Sequence, residues 1–337
     1  MNSKKIFITG ASGCIGHYLV ETLIQQTNHE LYLLVRNSNK LKIDCKVRPG
    51  IHILESDLRE IDRWAEILKT TNVAILAATA WGGTQEVFDI NVVKTIKLLK
   101  LLNPEVCEQV VYFSTASVLD RHNQLLKEAN QFGTDYIRSK YEVLYQMSRL
   151  KGLPPITAVF PTLVLGGDGI KPYSHLSSGL PDIVKHINKM RWLRADGSFH
   201  FIHAEDIARV VRYLTDNPPE ANRQLRKLVL GNSAVTVDRA IKEVCKYLNK
   251  FNLFGFPLSP WLVEVLIFLF QVKMAPWDRF CLDYRHFTYE EPVNPATFGL
   301  PSYCSTMADV LRTRGISRKG KVSKPPLIEI SAFESSH

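Results

Sequence analysis

The chain lacks any paired-cysteine or metal-ligand spacing. Cys14, Cys45, Cys107, Cys245, Cys281 and Cys304 stand far apart, with no C-x-x-C and no histidine cluster. This excludes a disulfide-stapled scaffold and a zinc site, and predicts free thiols in a reducing compartment with no bound metal. Long apolar runs are also missing. The most apolar stretch, Trp261 to Phe270, is broken by Glu264 and is far short of the roughly 20 residues a bilayer crossing needs. A buried helix is the first expectation there, with an interfacial membrane contact through 258–272 or the wall of a lipophilic site as alternatives. Lys4 and Lys5 precede only Ile6, Phe7 and Ile8 before Thr9 and Gly10, too short for the core of a signal peptide, so a cytoplasmic location, peripheral to a membrane as the variant, is expected. There is no internal repeat. The formal charge of +9 is spread along the chain, with a local excess only near Arg312 to Lys324 and no basic stripe interleaved with aromatics. Nucleic acid is a poor partner for such a surface; anionic cofactors or a membrane surface fit it better.

What the chain does have is enough apolar material, 45% of 337 residues, for a large α/β unit with an appended lobe. Its organising stretch is Ile6 to Gly16, I-F-I-T-G-A-S-G-C-I-G. A short apolar strand runs into three glycines at spacing three and then an amphipathic segment, His17 to Gln25. Gly10 can make the tight turn, Gly13 can let backbone approach a pyrophosphate, and Gly16 can let helix and strand pack closely. Gly10, Ala11, Ser12, Gly13, Cys14, Ile15 and Gly16 thus form a candidate phosphate cradle at a helix N-terminus.

Further apolar runs predict strands at Leu31 to Val35, Ile51 to Leu54, Val73 to Leu76, Gln109 to Phe113, Ile156 to Leu165 (irregular around Pro161) and Lys227 to Leu230. Helical spacing appears at Gln85 to Leu102, Glu205 to Leu214 and Val237 to Leu248. Alternating strands and helices imply a Rossmann doubly wound parallel sheet, with ligands at the carboxyl ends of the strands. Gly10, Arg36, Asp57, Ala77 and Ser114 all stand just beyond a predicted strand. Arg36, with Asn37, Ser38 and Lys40, suits a ribose 2′-phosphate and favours NADP(H), with NAD(H) as the alternative. The small residues Ala77, Ala78 and Thr79 would let backbone lie against a flat ring. The expected organisation is an NAD(P)-binding domain over 1–165, a smaller substrate-binding lobe over 166–316 whose Gly166 to Pro181 stretch reads as a substrate-side loop, and a mobile tail over 317–337.

Two stretches carry reactive groups: Ser114-Thr115-Ala116-Ser117-Val118, and Tyr136-Ile137-Arg138-Ser139-Lys140. Four residues apart on a helix, Tyr136 and Lys140 share a face. A neighbouring ammonium favours a phenolate, and lowering a tyrosine by ~3 pKa units corresponds to ~4 kcal/mol. Such a phenol can trade a proton with a substrate alcohol or ketone while the Thr115 hydroxyl holds the same oxygen and a nicotinamide exchanges hydride.

These motifs together resemble the extended short-chain dehydrogenase/reductase superfamily, of the NAD(P)-dependent epimerase/dehydratase type, from about Lys5 to Leu214 and more loosely to Gly315. Thr9 to Gly16 is similar to T-G-x-x-G-x-x-G, Ser114-Thr115-A-S-V to S-[ST]-x-x-V, Tyr136 and Lys140 to Y-x-x-x-K, and Phe201 to Asp206 to F-I-H-V-x-D. The resemblance implies that Asp57 and Leu58 sit at the adenine, that Asn91 is the helix-borne asparagine of the catalytic set beside Thr115, Tyr136 and Lys140, and that Pro161 belongs to the R-P-x-x-V-x-G turn. It also implies a homodimer, with Leu98, Leu101, Leu144 and Met147 as candidate interface residues. Three departures narrow the substrate. Phe160 replaces Arg before Pro161, Leu119 and Asp120 replace Tyr-Gly, and Phe199 stands where nucleotide-sugar members carry a diphosphate-binding arginine, although Arg191 or Arg194 could substitute. The expected function is therefore an NADP(H)-dependent oxidoreductase acting on a small, apolar alcohol or ketone of steroid, isoprenoid or flavonoid type. The alternatives are a nucleotide-sugar epimerase or dehydratase that retains its cofactor, and a non-catalytic NADP-binding assembly or sensor protein.

Overall fold

Seven strands form one parallel sheet in the computed structural model, which describes residues 3–219, 225–252, 254–259, 261 and 273–322. They are β1 (Lys5–Thr9), β2 (Glu30–Val35), β3 (Ile51–Glu55), β4 (Val73–Leu76), β5 (Gln109–Phe113), β6 (Ile156–Pro161) and β7 (Leu225–Leu230). Their spatial order is β7-β6-β5-β4-β1-β2-β3. The order reverses between β1 and β4, the switch point at which an open α/β sheet leaves a crevice beyond its carboxyl ends. This is a Rossmann doubly wound fold.

The apolar runs form strands because both faces of the sheet are covered. Ile6, Phe7 and Ile8 are all fully buried, yet alternate pleats send them to opposite sides: Phe7 into the core with Tyr112, Val143 and Phe160, Ile6 and Ile8 into the core with Leu19, Leu23 and Ile207. Each such side chain contributes about 1.5–3 kcal/mol of burial. The second core is closed by α1 (Cys14–Gln26) packing on α4 (Ala204–Asp216). The first is closed by α2 (Asp135–Met147) and by a long helical run assembled from Thr84–Phe88, a π-helical turn Asp89–Lys94, and Thr95–Leu101.

The structure departs from several expectations. The run from Ile156 to Leu165 is two strands, not one: β6 ends at Pro161, opposite Leu230, and Leu163–Leu165 leaves the sheet to pair with Phe201–His203. The supposed loop up to Pro181 contains the start of α3 (His175–Met190), which includes Pro181. Ser174 caps it by accepting the Ser177 N–H. An interior proline leaves the carbonyl four residues earlier without its donor; here that carbonyl, of Ser177, accepts Arg314 Nε at 2.8 Å. Leu98, Leu144 and Met147 are buried in the protomer's own core, and Leu101 packs against it. Leu98, Leu144 and Met147 complete the inward faces of their helices. Residues 317–322, expected to begin a mobile tail, make a tight turn in which Ser317 donates to the Lys321 carbonyl and Ile316 bridges Val322. The rest of the tail, and 262–272 within the apolar stretch, lie outside the described residues; Trp261 itself is exposed. Among the described residues, no helix is long and apolar enough to cross a membrane. All six cysteines are free.

Candidate active site

The glycine turn after β1 is shaped by close backbone approach. Gly10 has φ +79°, and a Cβ there would stand 2.5 Å from the Ala77 carbonyl carbon. A Cβ on Gly16 would collide with the Gly10 carbonyl and lie 2.8 Å from Ala11 Cα. Gly13 is the opposite case. It is exposed, is the N-cap of α1, and has no side-chain cap, so the first N–H groups of the helix are left to face an anion.

Around this turn opens a cleft of about 370 Å³, lined by Thr9, Gly10, Ser12, Gly13, Val35, Arg36, Asn37, Lys40, Ser56, Asp57, Leu58, Ala77, Ala78, Thr79, Ala80 and Trp81. The lining comes from the carboxyl ends of β1, β2, β3 and β4. Arg36 is exposed at its rim, 3.9 Å from Glu86. Asp57 caps the turn after β3 by accepting the Arg59 N–H at 2.8 Å, while the Arg59 guanidinium also reaches Glu86 and Asp89. Thr9 holds the wall opposite: its hydroxyl accepts the Ala78 N–H at 3.2 Å. Ala11, Cys14 and Ile15 are not in the lining. Ala11 is fully buried, and Cys14 is turned toward Gly166, its thiol pushed up to about 12 by burial.

Next along the sheet, at the end of β5, the structure brings Thr115, Tyr136 and Lys140 together. The Thr115 hydroxyl faces the Tyr136 phenol closely enough to pull its pKa downward. Lys140, almost wholly buried, donates to the Phe113 carbonyl at 2.8 Å and lies 5.9 Å from the Tyr136 ring. The sequence-based expectation that Lys140 draws the phenol's pKa down is not met. Burial pushes Tyr136 up to about 12, with the Thr115 hydroxyl pulling the other way, and burial drives Lys140 down to about 7. Desolvation thus weakens the Lys140 ammonium as an electrostatic partner for the phenol. The donor capacity Lys140 keeps beyond the Phe113 bond and the buried Ser114 hydroxyl, which has no partner among the described residues, make this a polar pocket with unspent hydrogen-bonding capacity.

Asn91, which the resemblance places in the catalytic set, is tied by its amide to the loop after β4. Its Oδ1 accepts the Ala80 N–H at 2.7 Å, and its Nδ2 donates to the Ala80 carbonyl and to Ser139 Oγ at 3.0 Å. Set in the π-helical turn, it ties the loop after β4 to α2. Pro161 ends β6, fully inside the sheet.

Sequence reasoning missed Trp81. From that same loop its indole stacks on the Tyr136 ring, centroids 4.0 Å apart at 21°, and His175 at the start of α3 meets its edge at 5.4 Å. The only available signal was a large aromatic directly after a run of four small residues. Also missed was the latch made by Asp206, which accepts the Tyr303 and Cys304 N–H groups at 2.6 and 3.0 Å and pins the C-terminal segment to α4. Phe199 is partly buried and packs against the cluster of Leu165, Phe201 and Val235. Arg191 and Arg194 are engaged elsewhere, with the Phe251 carbonyl and with Asn252.

Residues 6–230 match the profile of the NAD dependent epimerase/dehydratase family. The chain belongs to that family. Solved structures with the same fold include dTDP-glucose 4,6-dehydratase of Bacillus anthracis in complex with NAD (14% identity, covering 93% of this chain and 96% of that one, TM-score 0.63). Another is the Bordetella bronchiseptica enzyme WbmG in complex with NAD (15% identity, 94% and 97%, TM-score 0.63). A third is UDP-N-acetylglucosamine 4-epimerase of Methanobrevibacter ruminantium in complex with UDP-N-acetylmuramic acid (16%, 77% and 87%, TM-score 0.57). No curated protein matches the chain. Membership of the epimerase/dehydratase family makes this an NAD-dependent enzyme of the extended short-chain type, and it shifts the weight from an apolar-alcohol oxidoreductase toward the epimerase or dehydratase alternative.

Proposed function

We propose that the chain binds a nicotinamide dinucleotide along the cleft from Arg36 to Trp81 and oxidises a carbinol carbon of its substrate, returning the hydride later in the same turnover. The grouping of Thr115, Tyr136 and Lys140 at the end of β5, beside a glycine turn in which Gly10 and Gly16 leave no room for a Cβ, carries this reading. When bound, the nicotinamide supplies a hydride acceptor and donor. The chain's own residues do the rest. The α1 N-terminus and Ser12 hold the pyrophosphate, Asp57 and Leu58 border the adenine side, and the spare donors of Lys140 and Ser114 bind the ribose near the nicotinamide. Thr115 fixes the substrate oxygen, and Tyr136 exchanges its proton. Asn91 positions the loop after β4 beside this set. Arg36, Asn37 and Lys40 at the rim support a 2′-phosphate, hence NADP(H).

For the substrate, the family and the named neighbours support a sugar nucleotide. One observation favours the apolar reading instead: Phe199 packs, partly buried, against a core cluster, and Arg191 and Arg194 are both engaged in hydrogen bonds, which leaves neither of them for a diphosphate at that place. The deciding experiment purifies the protein, releases its ligands by denaturation and identifies them by mass spectrometry, then follows UDP- and dTDP-sugars and apolar ketones by chromatography and NADPH absorbance. Sugar-nucleotide conversion without net NADPH consumption supports the retained-hydride reading. Stoichiometric NADPH oxidation with an apolar ketone and none with sugar nucleotides replaces it.

A further inference from the structure

Away from the cleft, the segment after α3 and the segment after α5 (Val237–Tyr247) make one surface. Leu193 and Arg194 pair in parallel with Phe256 and Pro257, Phe256 N–H donates to the Trp192 carbonyl, and Arg191 donates to the Phe251 carbonyl. The side chains this arrangement presents are apolar. Phe254 and Phe256 are each 73% exposed, Phe251 is 64%, and Trp192 and Leu193 are exposed beside them. Scattered single hydrophobics at a surface need no explanation, but five on one small substructure do.

Phe251 follows Lys250, and Lys250 shares a cleft of about 390 Å³ with Lys185 and Lys319. All three lysines are exposed, and none has an ion-pair partner among the described residues. Arg191, its guanidinium 4.8 Å from the Trp192 ring, adds a fourth cation. An aromatic ridge flanked by unneutralised lysines matches the two-part chemistry of a bilayer surface. Trp and Phe partition into the headgroup boundary, and lysines meet anionic lipid. A second copy of this chain would bring lysine against lysine, and a polyanion such as RNA would leave the aliphatic and phenyl part of the ridge in water.

We infer that the surface formed by Trp192, Leu193, Phe251, Phe254 and Phe256, with Lys185, Lys250 and Lys319 beside it, docks the enzyme on an anionic membrane surface. This does not depend on the substrate or cofactor reading. The test is co-sedimentation of the full chain with vesicles of phosphatidylcholine alone and of phosphatidylcholine mixed with phosphatidylglycerol. Binding should appear with the anionic vesicles, fall with added salt, and weaken roughly fivefold for each lysine in the series Lys185→Gln, Lys250→Gln and Lys319→Gln. Phe254→Ser with Phe256→Ser should weaken it on the order of tenfold or more, with unchanged circular dichroism and melting because both rings are outside the core. Three outcomes overturn the inference: no sedimentation with anionic vesicles, sedimentation that the paired phenylalanine variant leaves unchanged, or a wild-type dimer in analytical ultracentrifugation that this variant dissociates without any vesicle binding. The last would make the surface a contact between copies.

Discussion

Burying Lys140 should cost the ligand-free protein stability that a neutral side chain would restore. In the unfolded chain this lysine titrates near 10.5, and in the fold near 7. Between those values the unfolded state holds a proton that the native state has lost, so unfolding takes up a proton and stability must rise with pH, by up to ~1.4 kcal/mol per pH unit. Below the folded value the penalty is fully present. At neutral pH, about three units of that difference are felt, or ~4 kcal/mol as an order of magnitude. Lys140→Met removes the titration but also the bond to the Phe113 carbonyl, whose loss costs about 1–2 kcal/mol. The ligand-free variant should therefore be about 2–3 kcal/mol more stable than wild type near pH 7, and the gain should vanish toward pH 10. Thermal or urea denaturation of both proteins across that range measures it. A variant less stable than wild type at neutral pH, or two parallel stability-pH curves, would refute the reasoning. A residue kept at such a cost fits a functional role better than a packing one.

Other changes test separate parts of the account. Gly16→Ala forces a methyl into the Gly10 and Ala11 backbone; melting should reveal a loss of about 1–3 kcal/mol, and calorimetry weakened dinucleotide binding. Arg36→Ala should lower NADPH affinity by about tenfold or more while leaving NADH affinity nearly unchanged; equal effects on both would remove the 2′-phosphate assignment. Trp81→Ala uncovers the Tyr136 ring without touching the core, so folding should persist while KM and kcat for a confirmed substrate both change; unaltered kinetics would show the indole to be a bystander. Arg314→Ala strips the donor from the Ser177 carbonyl above Pro181 and should cost about 1–3 kcal/mol by denaturant unfolding, whereas Arg314→Ala with Pro181→Ala should recover part of it.

Much of the sheet was legible because a doubly covered parallel sheet writes its strands as unbroken apolar runs. Ile6 to Ile8 and Val73 to Leu76 need no long-range knowledge to be read, and the glycine spacing fixes where the first helix begins. The pairing of Tyr136 with Lys140 follows from helix geometry alone. What could not be read depends on contacts across the chain. Pro181 argues locally against a helix, and only Arg314, 133 residues further on by number, supplies the missing donor. Leu98, Leu144 and Met147 have the spacing of an interface and of a core face alike; which of the two they form depends on what packs there. The upward shift of Tyr136 could not be read because spacing reports proximity and is silent on desolvation, which is the largest cause here. Trp81 has no periodicity to betray it, being a single side chain on a loop tied down by Asn91 from the neighbouring helix.

The most direct test of the central claim is Tyr136→Phe, assayed with a confirmed substrate and with dinucleotide binding measured alongside. The substitution keeps the ring under Trp81 and removes only the phenolic oxygen that faces Thr115. Dinucleotide affinity should be retained while kcat falls by about 100-fold or more. Turnover at the wild-type rate would show that the proton passes through another group and would contradict the account.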